Sequence, residues 1–226
     1  MRREPVTADG SMFTFYDIES LTNAFTLCAF TPQKDPQATH RLEVFFLIDD
    51  KCLMQDLQPA DLSSRIIESN PSMGRVEISY WDLSTEAGAT RLACLVGAST
   101  AYDVCDPESR SRLPGHMRPV CDTDADYNPM EHPFLAGYNS QNYDTSMLAY
   151  FLAESFPIDP ENQSGPLFQP TTAAALREHN NVLFTEHVQY MPRALGFDTA
   201  EARFRQNMLA SGRHIDVSTF LSLIHI

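Results

Sequence analysis

The sequence has few basic side chains for its length. Its 226 residues include 16 Lys and Arg against 30 Asp and Glu, which gives a formal net charge of −14. A protein that grips duplex DNA through its phosphates needs a basic surface, so this charge argues against that class of protein. A site that collects several carboxylates around divalent metal ions stays open, because the metals then meet the charge of an anionic substrate.

The sequence also lacks long apolar runs and paired cysteines. No run approaches the roughly 20 apolar residues that cross a bilayer, and the segment Met1–Thr7 lacks the apolar core of a secretory signal. We therefore expect a cytoplasmic protein with no membrane partner. The five cysteines are odd in number, scattered and without a Cys-x-x-Cys pair, which predicts neither a disulfide framework nor a zinc knuckle.

Apolar residues make up 43% of the sequence, which is enough for one domain with a sizeable core. Hydrophobic periodicity predicts strands at 12–18, 24–30, 42–48, 75–81 and 134–138, and helices at 61–69, 84–96, 145–154 and 171–191. The first three strands follow one another closely and predict an antiparallel meander. Residues 99–133, rich in Pro, Asp and Ser, predict a long surface connection. Residues 214–220 fit either a strand or the start of a helix, and Thr171 or Thr172 is expected to cap the last helix.

The two ends of the sequence are expected to lie outside the domain. Residues 1–11 are polar and are expected to be flexible. The last six residues, 221–226, read Leu-Ser-Leu-Ile-His-Ile and match the translation of a transposon-end adapter used in sequencing libraries. We expect them to be an adapter-derived tail with few tertiary contacts, although a native apolar strand would have a similar composition. The domain is then expected at 12–220 and to be incomplete at its C-terminal end.

Two carboxylates stand at the end of the first predicted strand, in the segment Phe15-Tyr-Asp17-Ile-Glu19. Residues two apart on a strand share a face at a spacing of ~7 Å, so Asp17 and Glu19 are predicted to point the same way and Ile18 the opposite way. Both carboxylates could then reach one metal ion. An Asp-x-Glu alone more often marks a solvated strand end.

A second polar segment follows the strand at 134–138 and reads Gly-Tyr-Asn139-Ser-Gln-Asn-Tyr143-Asp144. Asn139 suits the transition from strand to loop, and Tyr143 could anchor the turn in the core. Asp144 stands where a helix N-terminus favours a carboxylate, so it could be either a helix cap or a catalytic group. The spacing does not separate these two interpretations.

Together the two segments resemble the first two motifs of the DEDD exonucleases, Asp-x-Glu and then, well over a hundred residues later, Asn-x-x-x-(Phe or Tyr)-Asp. In the proofreading domains of family B DNA polymerases the second motif commonly begins Gly-Tyr-Asn, as it does in residues 137–144. Residues 212–217 resemble a Gly-Arg segment ending in Asp that lies farther along such polymerases, and here that Asp is Asp216. The chain is therefore similar to a truncated proofreading domain of a family B-like polymerase, of a phage or mobile-element type.

This resemblance implies an α/β fold, the ribonuclease H-like mixed β-sheet flanked by helices. It implies a 3′-5′ exonuclease that uses two Mg²⁺ or Mn²⁺ ions on the 3′ end of single-stranded DNA, with the polymerase domain in cis as a further partner. Asp17, Glu19 and Asp144 would be the catalytic metal ligands. Asn139, Tyr143 and Asp216 would line the cleft or touch the substrate, although Asp216 could equally have a structural role at a strand end.

The sequence departs from the family pattern at the third motif, Tyr-x-x-x-Asp, which is expected after residue 217 and is not found there. Because that motif supplies the last metal ligand, we expect the chain itself to be a weak or inactive nuclease. Two alternatives share the same residues. One is a stand-alone DEDD exonuclease, and the other is a degenerate ribonuclease H-like domain that only binds nucleic acid or a partner protein.

Overall fold

The computed structural model describes residues 13–33, 35, 38–49, 59–71, 75–96, 134–138, 140, 143–157, 168–185 and 214–217. The expectations for the N-terminal segment 1–11, the connection 99–133 and the tail 221–226 lie outside these residues. Within them, no helix is long and apolar enough to span a membrane.

Apart from the last strand, the described helices and strands are of the types that the sequence predicts, and their described ends differ from the prediction by at most two residues. They are β1 (Phe13–Ser20), β2 (Ala24–Thr31), β3 (His40–Ile48), α1 (Pro59–Ser69), β4 (Val76–Asp82), α2 (Glu86–Val96), β5 (Phe134–Gly137), α3 (Asp144–Ser155), α4 (Ala173–Thr185) and β6 (His214–Asp216). The end predicted for α4, at residue 191, lies outside the described residues. For residues 214–220, where the sequence left strand and helix open, the structure shows a short strand that ends at residue 216.

The described strands form one mixed sheet of six, in the order β4-β3-β2-β1-β5-β6. β1, β2 and β3 pair antiparallel, which confirms the predicted meander. β4 lies parallel to β3, β5 lies parallel to β1, and β6 lies parallel to β5. The protein is therefore an α/β protein with a mixed six-stranded sheet. β1 belongs to the meander and also pairs with β5, so it joins the meander to the parallel strands β5 and β6.

One face of the sheet carries the main core. Alternate residues of β1 are buried there, and the neighbouring strand adds Phe25 and Leu27. α3 covers this face, and its Phe151 ring stacks on Phe25 with the ring centroids 6.4 Å apart. On β4, Trp81 stacks against Phe45 of the core face, so Tyr80 points to the opposite face. There its hydroxyl lies 3.0 Å from the Ser63 hydroxyl of α1, so helices flank both faces.

A buried carboxylate ties three elements of the core face together. Glu43 on β3 is 3% exposed, and its two oxygens accept hydrogen bonds from Nε and Nη2 of Arg91 on α2, each at 2.7 Å. The indole N–H of Trp81 on β4 donates a third bond at 3.1 Å. A charge removed from water is tolerated when it is paired and hydrogen-bonded in this way.

The N-terminus of α4 is capped twice. Thr172 accepts a hydrogen bond at Oγ1 from the backbone N–H of Ala175, which selects Thr172 from the two predicted caps. The carboxylate of Asp49, which follows β3, accepts bonds from the backbone N–H groups of Ala173 and Ala174, both at 2.8 Å. This second cap fixes α4 to the end of the meander.

Candidate active site

β1 presents Asp17 and Glu19 on one face and buries the residues between them. Both carboxylates are exposed, whereas Ile18 is 5% exposed, so the predicted alternation is what the strand shows. Cys28 of β2 lies directly opposite Asp17 in the antiparallel register. Partial burial of the thiol, and then the charge of Asp17, raise the pKa of Cys28.

Parallel pairing brings the ends of β1, β5 and β6 to the same edge of the sheet. Phe15 pairs with Ala136, the second-last residue of β5, and Tyr138 directly follows the end of this strand. On the other side of β5, Gly137 pairs with Asp216, which is 4% exposed. The carboxyl ends of parallel strands in open α/β sheets are where ligands commonly bind.

The turn after β5 has no room for a side chain at Gly137. A Cβ at this position would lie 2.6 Å from Cβ of Ser140 and 3.1 Å from Cε1 of Tyr16. The turn is closed by the Ser140 carbonyl, which accepts hydrogen bonds from the backbone N–H and the hydroxyl of Thr145, both at 2.8 Å. Glycine at residue 137 therefore allows the tight turn that delivers the start of α3 to the edge of the sheet.

Asp144 is the first residue of α3 and is 3% exposed. Tyr143 occupies the N-cap position and its side chain makes no capping hydrogen bond, whereas Asp144 is already helical, so the interpretation of Asp144 as the N-cap is wrong. Oδ2 of Asp144 is buried and has no hydrogen-bond partner among the described residues. Desolvation, and then the charges of Asp17 and Asp216, raise the pKa of Asp144 to about 7.

Tyr143 anchors the turn in the core, as expected. Its ring packs partly buried against the core cluster, and its hydroxyl donates a hydrogen bond to Oδ1 of Asn180 on α4 at 2.7 Å. Desolvation raises the pKa of Tyr143 to about 12, followed by the charges of Asp144, Glu19 and Asp17.

Tyr16 is a site residue that the sequence reasoning missed. It lies between Phe15 and Asp17 but points into the core, where it is 6% exposed. Burial raises the pKa of its phenol. The hydroxyls of Ser140 and Thr145 lower this pKa, although neither lies in hydrogen-bond geometry with the phenol, and the charges of Asp144 and Asp216 raise it. The sequence did contain a signal, because the alternation along β1 puts Tyr16 on the buried face beside the acidic positions. A buried tyrosine usually needs a hydrogen-bond partner for its hydroxyl, so the residue pointed to polar groups at the end of the strand.

Four carboxylates lie near the carboxyl ends of β1, β5 and β6, and they differ in burial. Asp17 and Glu19 leave β1 on the exposed face, whereas Asp144 and Asp216 are buried. In the described part of the chain, no three Asp, Glu, His or Cys side chains are grouped so that they could hold one metal ion. The sharing of metal ions by Asp17, Glu19 and Asp144 therefore stays a prediction.

The donor chemistry nevertheless fits a hard divalent cation. Carboxylate oxygens are the ligands that Mg²⁺ and Mn²⁺ prefer. A buried acceptor without a partner, as at Oδ2 of Asp144, is costly unless something binds it. A cation at this edge would also offset the repulsion that raises the pKa of Asp144.

Of the candidate cleft residues, Tyr143 and Asp216 are described at this edge, whereas Asn139 lies outside the described residues. Gly212 and Arg213, which carry the resemblance in the last segment, also lie outside them.

Comparison of the chain with family models, with curated proteins and with solved structures gave no match.

Proposed function

We propose that the chain is a 3′-5′ exonuclease domain of the DEDD type, the proofreading domain of a family B-like DNA polymerase. The observation that carries the proposal is the placement of the two motifs: β1 presents Asp17 and Glu19 on one face near its end, and parallel pairing of β1 with β5 brings the turn that leads to Asp144 to the same edge of the sheet. These are the residues that match the two exonuclease motifs. They come from two segments more than a hundred residues apart, which parallel pairing of β1 with β5 joins.

The sheet supports the ribonuclease H-like fold that this function implies. An antiparallel meander continues into parallel strands through β1, and helices flank the sheet. This arrangement is compatible with that fold. The first motif would then lie on the central strand β1 and the second at the turn into α3.

The burial of each carboxylate indicates the side from which it would hold the cations. When bound, Mg²⁺ or Mn²⁺ would supply a nucleophilic water near neutral pH and would stabilise the charge on the departing 3′ oxygen. Asp17 and Glu19 would hold the cations from the exposed face, where a DNA strand can reach them. Asp144 would hold them from the buried side, and binding would favour its ionised form.

Exposed aromatic rings beside Asp17 suit a single-stranded substrate. Phe15 is 48% exposed on the same face as Asp17, and Tyr138, directly after the end of the neighbouring strand β5, is 71% exposed. Bases that are not paired stack on such rings with little sequence preference. Stacking would position the 3′ end even though the chain carries a net charge of −14.

The test is the shortening of a 5′-labelled single strand in Mg²⁺ or Mn²⁺, resolved as a ladder of products. We expect slow removal of nucleotides from the 3′ end by the chain as it stands, lost in Asp17→Asn and in Asp144→Asn. Glu77→Gln is the matched control, because it removes an exposed carboxylate on β4, three strands away from β1. Shortening that survives Asp17→Asn, or a parent chain that neither shortens the strand nor binds its 3′ end, contradicts the proposal.

One observation favours a second candidate, the degenerate ribonuclease H-like domain that only binds nucleic acid or a protein. It is the lack, among the described residues, of three metal-ligating side chains grouped around one point. The two functions differ in their metal dependence. Binding of single-stranded DNA that is equal in EDTA and in Mn²⁺, without any shortening, would establish the binding domain instead.

A further inference from the structure

Asp216 stands at the carboxyl end of β6, beside the proposed site. It pairs with Gly137 in the parallel register, and Gly137 in turn is level with Tyr16 of β1 when that register is continued by one residue. Residues in register on neighbouring strands point to the same face. Asp216 is therefore on the buried face with Tyr16, and not on the exposed face with Asp17, and it is 4% exposed.

Asp144 reaches the same place from the start of α3. The next residue, Thr145, donates its backbone N–H and its hydroxyl to the Ser140 carbonyl, and Ser140 lies against Gly137, the residue that pairs with Asp216. Oδ2 of Asp144 is buried without a hydrogen-bond partner, and no Lys or Arg among the described residues forms an ion pair with this carboxylate. An acceptor in this position, next to a second buried carboxylate, is what a bound cation would satisfy.

We propose that Asp216 is a metal ligand of this site and that it shares one divalent cation with Asp144. The inference rests on the proposed function, which assigns Asp17, Glu19 and Asp144 to the metals. That function still lacks the last metal ligand, which the third motif would supply. Asp17 and Glu19 then form an outer pair on the exposed face, and Asp144 and Asp216 form an inner pair on the buried face. The orphaned oxygen of Asp144 is the observation that points to a cation between the inner two.

The test measures Mn²⁺ binding directly, by electron paramagnetic resonance of the free ion and by the shift of Tm with Mn²⁺ concentration. We expect Asp216→Asn to lose one bound Mn²⁺, or to need at least tenfold more Mn²⁺ for half of the parent's Tm shift. Glu77→Gln, which removes an exposed carboxylate far from the site, is expected to bind Mn²⁺ like the parent.

A second variant covers the case in which Asp216→Asn folds poorly. Asp216→Glu keeps the charge but moves the carboxylate by one methylene, and we expect its Mn²⁺ affinity to change severalfold. Mn²⁺ binding by both Asp216 variants that equals the parent's overturns the inference. It fails separately from the proposed function, because that outcome can coincide with 3′ shortening that Asp17→Asn abolishes. Conversely, loss of one bound Mn²⁺ in Asp216→Asn, from a parent that neither shortens the strand nor binds its 3′ end, contradicts only the proposed function.

Discussion

Asp144 combines deep burial with an oxygen that nothing in the described structure satisfies, and this has a cost for the folded state. Its pKa is about 7, because burial and two neighbouring carboxylates disfavour the ionised form. An ionised carboxylate in such a place lowers stability unless a cation binds it. Under the proposed function, Asp144 would therefore be a place where metal binding is gained at the expense of the stability of the metal-free protein.

We expect the stability of the metal-free protein to fall as the pH rises from about 4 to about 8. The folded state holds the proton of Asp144 more tightly than the unfolded state, so stability is highest below the unfolded pKa and is lost as the pH passes 7. The loss is at most about 4 kcal/mol. Urea unfolding in EDTA across this range measures it.

Other carboxylates titrate over the same range, so the informative quantity is the difference between the parent and Asp144→Asn. The variant lacks the titrating group and is expected to be the more stable protein at pH 8, with the difference shrinking towards pH 5. A difference that stays constant with pH would show that the carboxylate of Asp144 is not shifted.

At the scale of helices and strands, the sequence predicts most of what the structure shows. Strict alternation in β1, with Tyr16 and Ile18 buried between exposed residues, is a local signal, and local signals predict element types well. Element ends are less certain, because the last residues of a strand depend on what pairs with them. β1 runs two residues beyond its predicted end because Glu19 and Ser20 pair with Thr26 and Phe25.

Contacts between distant segments were not predictable in the same way. The Asp49 cap joins residues 124 positions apart along the chain, and the Tyr143 hydroxyl meets Asn180 on another helix. Neither residue type carries a signal for its partner, because Asp after a strand and Asn within a helix are common. The burial of Asp144 likewise depends on how α3 meets the sheet.

We expect Asp49→Ala to destabilise the protein by about 1–2 kcal/mol, because it leaves two backbone N–H groups of α4 without their acceptor and removes a charge favourable to the helix N-terminus. Urea unfolding measures the loss, and hydrogen exchange should quicken at the amides of Ala173 and Ala174. Glu178→Ala, an exposed carboxylate within the same helix, is the control and should change stability little. Equal effects of the two substitutions would contradict the capping role.

At the scale of the whole molecule, the proposed function sets the net charge and the exposed aromatic rings against each other. The net charge of −14 would repel the phosphates of a single strand, so its binding would depend on cations and on stacking. The exposed rings of Phe15, two residues before Asp17, and of Tyr138, directly after β5, would offer the stacking.

We expect Tyr138→Ala to weaken the binding of oligothymidine about tenfold, since stacking of one base on an aromatic ring contributes roughly 1–3 kcal/mol. Fluorescence anisotropy in Ca²⁺ measures binding while limiting cleavage. Because Tyr138 is 71% exposed, its loss should leave Tm unchanged. Ile67→Ala, an exposed apolar residue on α1, is the control, and equal binding by the two variants would exclude Tyr138 from the substrate surface.

The central position of β1 also sets the order in which the molecule can assemble. Its pairing with β2 joins residues close in sequence, whereas its pairing with β5 joins residues more than a hundred positions apart. Closing a long loop is slower than closing a short one, so the meander can form early and the β1–β5 contact late. Asp17 and Asp144 stay apart until that late step, so their mutual repulsion opposes only the last stage of folding.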